Sequence, residues 1–326
     1  MSHPNIDPEV VQWVEMLRSP DLNDRLVAAK ALQHLGDEDA IDTLIVALDD
    51  ESPKVQEIAV TALWEMANPV AIPPLLKCLG STHTEDVRTE ALSALKEMVS
   101  PDDLLTLLDA VQIEDENVQL NVLILLRKIH DAQALPYIAP FLTSPNPALR
   151  EASVVTLRYL NQVVRFEPAL PLAKDPVEAV RRAAILTLGH LSDEAVMPIL
   201  CEALTADPDW QSRRNAAQSL DLQATAAAIP ALVTALDDDH WQVRKFTARA
   251  LQKTADETAI PALIKALSDE YSDVRRDAAI ALGNLGNPDV LPALKQTLDD
   301  PDRDVQIFSQ RAIQKIQDQL AETSHA

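Results

Sequence analysis

The chain has 326 residues, 47% of them hydrophobic and only 3% aromatic, and carries 51 acidic against 28 basic side chains. Its formal charge of −23 repels phosphate backbones and anionic lipid headgroups, so we expect neither nucleic acid nor a bare membrane as a partner. No apolar run approaches the about 20 residues that cross a bilayer, and the first residues lack the basic start and apolar core of a signal peptide. The sequence therefore predicts a cytoplasmic protein.

One motif recurs along the whole chain. A Val-Arg step or its equivalent returns every 31 or 32 residues, with its first residue, the anchor, at Asp24, Val55, Val87, Val118, Leu149, Val180, Ser212, Val243, Val274 and Val305. A fixed period of this length with two helical segments per period is typical of an α-solenoid. We predict an all-α fold: an α-solenoid of about ten two-helix repeats, wound as a right-handed superhelix and forming a single domain over residues 1–326.

From the N-terminus onward, each repeat reads as a first helix, an acidic or proline-bearing turn and a second helix. In repeat two the first helix is predicted near residues 40–48 and the turn near residues 49–53. The second helix places a small residue four positions after the anchor and Leu or Ile eight positions after it, as in Val274, Ala278 and Leu282. This spacing predicts a buried stripe on every second helix. The carboxylates in the turns are predicted to cap the second helices.

The arginine directly after the anchor has a predicted structural role, because a guanidinium there can bind carbonyls and capping carboxylates of adjacent turns. It occurs in seven repeats, at Arg25, Arg88, Arg150, Arg181, Arg213, Arg244 and Arg275. Cys78 and Cys201 occupy positions that other repeats fill with small or apolar residues, which predicts buried thiols without a disulfide.

Residues that could perform catalysis or bind a metal do not cluster in the sequence. The seven histidines are scattered singly, without the spacing that places two metal ligands on one helix face, and five glycines leave no phosphate-binding loop. We therefore predict no catalytic residues, no metal site and no enzymatic activity.

Positions two, six and nine residues after the anchor point away from the buried stripe, toward the concave groove of a solenoid. Four successive repeats are basic two residues after the anchor, at Arg182, Arg214, Lys245 and Arg276, and these predict contact with an acidic partner. An apolar centre of the groove is predicted from Leu120, Ile124, Val155 and Leu186, and Trp64 is a further candidate for partner binding. The alternatives are arginines that cover a neighbouring repeat with their stems, and apolar residues that pack between repeats.

The segment from Val274 to Gly286, followed by Val-Leu-Pro-Ala-Leu at residues 290–294, resembles a bacterial HEAT repeat of the kind called the phycobilisome lyase HEAT-like repeat. The resemblance covers essentially the whole chain and implies a non-catalytic scaffold that binds protein on its concave face. In repeat number, length and acidity the chain is similar to a cyanobacterial HEAT protein that partners an A-type iron–sulfur carrier. That similarity implies a protein that is monomeric when free, has no cofactor of its own and stabilises an iron–sulfur carrier or assembly protein, any cluster being held mainly by the partner.

The alternative within the same family is a bilin lyase subunit or a phycobilisome adaptor, which binds a tetrapyrrole or a phycobiliprotein. Lyase subunits tend to carry tryptophan and tyrosine in the second helix, beside an Ala-Ala pair. Here the equivalent stretches read Ala-Ala-Ile-Ala-Leu at 278–282 and Ala-Ala-Lys-Ala-Leu at 28–32, a departure that counts against bilin binding.

Overall fold

The computed structural model describes residues 7–161, 163–223, 225–254 and 256–324. It divides the chain into two compact units, Met1–Gln162 and Val163–Ala326. The described residues form helices and turns without a strand, which confirms the all-α prediction. The single domain and the right-handed superhelix stay predictions.

The first unit contains repeats one to five as successive helix pairs. The helices are α1 Pro8–Met16, α2 Leu22–Leu35, α3 Ile41–Ala47, α4 Pro53–Met66, α5 Ile72–Lys77, α6 Glu85–Met98, α7 Leu104–Ala110, α8 Glu116–Leu126, α9 Leu135–Ile138 and α10 Pro147–Tyr159. Single 3-10 turns precede α3, α5, α7 and α9, and a 3-10 segment, Ala139–Thr143, continues α9. The unit is therefore an α-solenoid of five two-helix repeats.

The second unit contains repeats six to ten. Its first helix is a 3-10 helix, Glu167–Lys174. The remaining helices are α11 Glu178–Leu188, α12 Val196–Ala206, α13 Trp210–Gln223, α14 Ile229–Ala235, α15 Trp241–Leu251, α16 Ile260–Ala266, α17 Ser272–Leu285, α18 Leu291–Gln296 and α19 Arg303–Ser324. Short 3-10 turns precede α14, α16 and α18, and another follows α18. This unit too is a five-repeat α-solenoid.

The predicted stripe forms the core of each repeat. Val274, Ala278 and Leu282 are fully buried in α17, as are their counterparts in the other second helices with few exceptions. Gly283, the residue after Leu282, has no room for a side chain, because a Cβ built there would lie 2.6 Å from the Cβ of Ala312 on α19. Small residues thus let neighbouring second helices pack closely, which sets the distance between successive repeats.

The arginine after the anchor ties one repeat to the next. Nε and Nη2 of Arg213 donate to Oδ2 and Oδ1 of Asp238 at 2.6 and 3.0 Å, and Nη1 donates to the carbonyl of Asp207 at 3.0 Å. Asp238 Oδ1 also accepts from the His240 amide at 2.8 Å. The same ion pair joins Arg25 to Asp50, Arg181 to Asp207, Arg244 to Asp269 and Arg275 to Asp300. The predicted structural role is confirmed, and we call this series the arginine ladder.

Carboxylates in the turns cap the second helices, as predicted. Asp115 Oδ1 accepts from the amides of Asn117 and Val118 at 2.9 and 3.2 Å, at the start of α8. The guanidinium of Arg275 lowers the pKa of the Asp300 carboxyl, which accepts from the Asp302 amide at 2.8 Å. The acidic turns therefore satisfy free amide groups and hold the arginine ladder at the same time.

Removing one arginine of the ladder should lower stability. For Arg213→Ala we expect the free energy of unfolding to fall by about 1.5 to 3 kcal/mol, because Asp238 loses a charged donor in a partly buried site. Arg213→Gln is the matched control, because Gln56 and Gln306 at the same position still donate to a turn carbonyl at 2.6 Å. Urea unfolding followed by circular dichroism should give the order wild type, Gln, Ala, and equal stability of all three would contradict the structural role.

Two helix ends should respond in opposite directions to the exchange of Gly and Ala. Gly36 follows the last residue of α2 and has φ 61°, and Ala67 follows the last residue of α4 and has φ 52°. The left-handed conformation is unfavourable for any residue with a Cβ, so Ala67→Gly should raise the free energy of unfolding by about 0.5 to 1 kcal/mol. Gly36→Ala should lower the free energy of unfolding by about 1 kcal/mol. A Cβ at Gly36 has no atom within 4 Å, so the cost comes from the left-handed backbone conformation and not from a steric clash. Changes of the same sign in thermal melts would show that backbone conformation does not govern these ends.

Candidate functional site

The four predicted basic residues are held by polar or aromatic groups of the second unit. Nε and Nη2 of Arg182 donate to both carboxylate oxygens of Asp209 at 2.6 and 2.8 Å, and Lys245 Nζ lies 2.9 Å from Asp273 Oδ2. Each of these bonds joins a second helix to the start of the next one. The structure therefore places the four residues on successive second helices, as predicted, but pairs most of them within the chain.

The remaining two residues of the series differ in their partners. Arg276 binds Asp277 at 3.1 Å and Asp273 at 2.8 Å. Arg214 donates to the side-chain oxygen of Asn215 at 3.0 Å and forms no ion pair within the described part of the chain. Asp209 lies three residues before its anchor, and the residue at that position in the repeat after Arg214 is His240. Arg214 is thus the member of the series whose charge is least compensated.

The carboxylates beside these cations show the effect of the pairing. The Arg182 hydrogen bond holds the pKa of Asp209 well below its usual range, and the Lys245 hydrogen bond lowers the pKa of Asp273. Asp277, only 6% exposed, is the exception, because burial raises its pKa more than Arg276 lowers it. Most of the row is therefore electrically balanced and not a field of free positive charge.

A row of stacked aromatic rings lies beside the basic residues. Trp210 and His240 stack with centroids 3.6 Å apart and planes 12° apart, and Trp241 and Tyr271 stack at 4.9 Å and 13°. His240 and Trp241 are adjacent in sequence, with centroids 6.5 Å apart and an interplanar angle of 18°. The rings therefore form one continuous series across the starts of α13, α15 and α17.

Two of the cations lie against these rings. The Arg214 guanidinium carbon is 5.6 Å from the centroid of Trp210, and Lys245 Nζ is 5.8 Å from that of Trp241. Both distances are within the range of a cation–π attraction. We call the combined surface the aromatic–basic strip; it consists of Arg182, Trp210, Arg214, His240, Trp241, Lys245, Tyr271 and Arg276.

The sequence interpretation missed the aromatic members of the strip. Their signal is the same repeat period, since Trp210 and Trp241 are 31 residues apart, as are His240 and Tyr271. Both pairs lie just before the anchors, outside the positions expected to line the groove. Tyr271 is 40% exposed and the two tryptophans are half-buried, so the strip offers ring surface to a partner while the stacking holds it rigid.

The predicted apolar centre is half-buried where we expected exposed side chains. Leu120, Ile124 and Val155 lie in the first unit and Leu186 in the second, and all four have intermediate exposure. A second helix packs between two other second helices, so its flanks are covered as well as its buried stripe. This burial agrees with the alternative of packing between repeats.

Trp64 is also half-buried, and its indole N–H donates to Glu97 Oε2 at 3.2 Å on the next second helix.

Cys78 is buried and free, as predicted, and burial raises the pKa of its thiol to about 12. Cys201 is free but half-buried, so the prediction that its thiol is buried was wrong. Val233, at the equivalent position of another repeat, is half-buried too, because this flank of the first helix faces partly outward. In the described residues no three His, Cys, Asp or Glu side chains are grouped to hold a metal ion.

Protonation of His240 should destabilise the second unit. Neutral Nδ1 accepts from the Gln242 amide at 3.3 Å, and burial lowers the pKa of His240 below 6.5, with Arg213, Arg244 and Arg214 adding to the shift and Asp238 opposing it. Since the unfolded chain binds the proton at higher pH, stability is full above about 6.5 and falls as the pH drops toward the folded pKa. His240→Asn keeps a capping oxygen and removes the titration.

We expect urea unfolding at pH 7.5 and 5.5 to show a smaller loss of stability in the Asn variant than in the wild type. The variant also loses ring stacking with Trp210, which lowers stability equally at both pH values. Parallel losses in the two proteins would mean that His240 does not contribute to the pH dependence.

The geometry defines the class of protein: an all-α solenoid whose second helices carry the candidate binding surface. The family model for HEAT repeats matches residues 10–96, 165–221 and 229–314, more than half of the chain. The chain belongs to the HEAT-repeat family, as its repeat sequence predicted. Within the described residues, no helix is long and apolar enough to cross a membrane.

Known proteins share this fold at low identity. The chain is 29% identical over 179 residues to the phycocyanobilin lyase subunit alpha of Nostoc sp., a match that covers 49% of this chain and 64% of the lyase subunit. An engineered protein of known crystal structure has a TM-score of 0.56 at 21% identity, covering 95% of this chain and 99% of its own. Yeast importin-β, Kap95p, in its complex with RanGDP has a TM-score of 0.61 at 16% identity, covering 96% of this chain and 51% of its own. The chain spans about half the length of the importin.

Proposed function

We propose that this chain is a non-catalytic scaffold that binds a protein partner through the aromatic–basic strip. The observation that carries the proposal is the continuous stacking of Trp210, His240, Trp241 and Tyr271 beside Arg214. Tryptophan, tyrosine and arginine dominate binding hot spots because they bury much surface and lose little conformational freedom. In a chain with only 3% aromatic residues, their concentration on three successive second helices supports a binding surface.

The chemistry of the strip supports a partner with a small acidic patch. Arg214 has no carboxylate partner in the described chain, and a carboxylate from outside would complete it as Asp209 completes Arg182. The chain as a whole carries −23 and repels a uniformly acidic protein, but that field is screened beyond about 8 Å at physiological ionic strength. The partner surface we propose is therefore apolar against the rings and acidic against Arg214.

For the identity of the partner we propose an A-type iron–sulfur carrier or a related assembly protein. The support is the similarity in repeat number, length and acidity to a cyanobacterial HEAT protein with such a partner. In this proposal the partner supplies most of the ligands of the cluster, the chain is cytoplasmic and monomeric when free, and it holds no cofactor of its own. The two free cysteines support a reducing compartment.

A second candidate function is bilin handling, as a lyase subunit or a phycobilisome adaptor. It is favoured by the 29% identity to a phycocyanobilin lyase subunit. The aromatic–basic strip also suits a tetrapyrrole, since stacked rings match its conjugated plane and Arg214 matches a propionate. The candidates differ in ligand, one a folded protein and the other a pigment, so one pair of measurements separates them.

Binding of an A-type carrier should depend on the strip. We expect the purified carrier and this chain to form a complex in size-exclusion chromatography, and the double variant Arg214→Glu with Tyr271→Ala to weaken it at least tenfold in calorimetric titration, or about 1.4 kcal/mol. These residues are chosen because Tyr271 is exposed and Arg214 lacks an ion pair, whereas reversing Arg182 would break its bond to Asp209. The matched control is Lys265→Glu on α16, which reverses a charge on a first helix of the same unit and breaks only a solvent-exposed ion pair with Asp237.

The outcomes discriminate between the candidates. Equal affinity of the strip variant and the Lys265 variant would reject the strip as the binding surface. Absence of a complex, together with a visible absorption band that saturates on titration with phycocyanobilin and is lost in the strip variant, would reject the iron–sulfur partner in favour of the bilin function. Circular dichroism of every variant confirms that the helices are intact.

A further inference from the structure

A groove in the first unit departs from the arginine ladder. In repeats one, six and seven the equivalent grooves are lined by an arginine and its aspartate: Arg25 with Asp50, Arg181 with Asp207, and Arg213 with Asp238. In repeat four the residue after the anchor is Gln119, and the residue 25 positions later, where the ladder has an aspartate, is Ser144. The charged pair is therefore missing between repeats four and five.

Apolar and aromatic side chains line this space instead. The groove has a volume of about 490 Å³ and is bounded by Val111, Gln119, Pro136, Tyr137, Pro140 and Phe141; we call it the Gln119 groove. Tyr137 in its lining and Ile113, whose carbonyl accepts from Gln119, are 36% and 41% exposed, and Leu105 on α7 is 71% exposed. Leu105 lies thirteen residues before its anchor, as Pro136 does in the next repeat, and so lies on the same face. The exposed apolar surface of the first unit thus extends the groove.

The groove also lies in the part of the chain where the HEAT-repeat pattern is weakest. The family model matches residues 10–96 and resumes at 165, which leaves out repeats four and five. These repeats nevertheless form α7, α8, α9 and α10 with a buried core. The sequence there departs from the family pattern at its surface while keeping the helices.

Two glutamine side chains of the groove favour a ligand that donates hydrogen bonds. Gln119 Nε2 donates to the Ile113 carbonyl and Gln112 Nε2 to the Leu108 carbonyl, both at 2.9 Å. Each amide therefore turns its oxygen outward, and within the described chain neither oxygen accepts a hydrogen bond. These two amide oxygens can accept from an ammonium, a guanidinium or an indole N–H, which favours a ligand that donates hydrogen bonds.

The charge around the groove selects the same kind of ligand. Residues 101–146 hold seven acidic residues (Asp102, Asp103, Asp109, Glu114, Asp115, Glu116 and Asp131) and two basic ones (Arg127 and Lys128). Asp109, Glu114 and Glu116 are exposed beside the groove. Lys128 lies beyond the far end of α8, where its Nζ donates to the Val99 carbonyl at 2.9 Å. Within residues 101–146, acidic side chains therefore outnumber basic ones around the groove, and the rim is negative.

We propose that the Gln119 groove binds a basic segment of a partner protein, with one aromatic or branched apolar side chain in the groove and lysine or arginine against Asp109, Glu114 and Glu116. The volume suits one large side chain, and Tyr137, Phe141 and the prolines supply ring surfaces for it to pack against. This surface goes beyond the proposed function, since it lies in the first unit and takes the opposite charge. The net charge of −23 attracts such a segment at long range.

The arginine ladder itself provides a variant that replaces the uncharged edge of the groove by a charged pair. Gln119→Arg with Ser144→Asp introduces the pair present in the other grooves: the new guanidinium can take over the bond to the Ile113 carbonyl, and the new carboxylate the bond from the Asn146 amide that Ser144 Oγ accepts at 3.2 Å. The fold is expected to stay intact, because five repeats already contain this pair. Tyr137→Ala, at an exposed position, removes one wall without filling the space.

The probes are three fluorescein-labelled peptides: Lys-Lys-Leu-Trp-Lys-Lys, Glu-Glu-Leu-Trp-Glu-Glu and Lys-Lys-Ser-Ser-Lys-Lys. By fluorescence anisotropy we expect the first to bind at least tenfold more tightly than the other two, and the double variant and Tyr137→Ala to weaken it at least tenfold and threefold. Val70→Asn, at a residue 61% exposed in repeat three, is the control and should leave binding unchanged. The proposal is overturned if the first and third peptides bind equally, which would indicate charge alone, or if the double variant binds the first peptide like the wild type while its melting temperature shows an intact fold.

Discussion

The bidentate bond that joins the arginine after the anchor to an aspartate of the next turn in five repeats is the interaction on which both surfaces of this protein depend. The guanidinium binds a carboxylate of the following repeat and a backbone carbonyl of the turn before its own helix. The carboxylate also accepts a hydrogen bond from a backbone amide near the start of the next second helix. These bonds are directional and partly buried, so they set the rotation of one repeat against the next as well as its distance. The small residues on the second helices allow the close approach that the bonds require.

The aromatic–basic strip follows from that regular spacing. When successive second helices start at a constant distance and rotation, aromatic residues that recur with the repeat period face each other as stacked rings, as Trp241 and Tyr271 do. The same register brings the basic residue two positions after the anchor to the start of the next second helix, where Asp209 neutralises Arg182 and Asp273 neutralises Lys245. Arg214 escapes this pairing because His240 occupies the position of the aspartate. The strip therefore combines rigid rings with one incompletely compensated charge.

The Gln119 groove lies at a repeat in which the arginine ladder has no charged pair. A glutamine keeps the bond to the turn carbonyl but cannot form the charged pair, so the turn is held while the space beside it stays open. Aromatic and proline side chains of the next first helix then line a groove that has a guanidinium and a carboxylate in its wall in repeats with the charged pair. Where the ladder is intact, a charged pair lines the groove between repeats, whereas in repeat four apolar walls and an uncharged glutamine line it beneath a negative rim. The two surfaces lie in different units and select ligands of different charge.

The sequence by itself determined the local and periodic features of this protein. The repeat period predicted ten helix pairs, the spacing of Val274, Ala278 and Leu282 predicted the core, and the position of Arg213 predicted its bonds to the turns, because each depends on residues close in sequence or at one repeated position. Only the tertiary structure decided that Arg182 is neutralised by Asp209, that Leu120 is half-buried, and that Trp210 stacks on His240. These contacts join different positions of neighbouring repeats, and they depend on the distance and rotation between helices and on side-chain direction, none of which a repeat period contains.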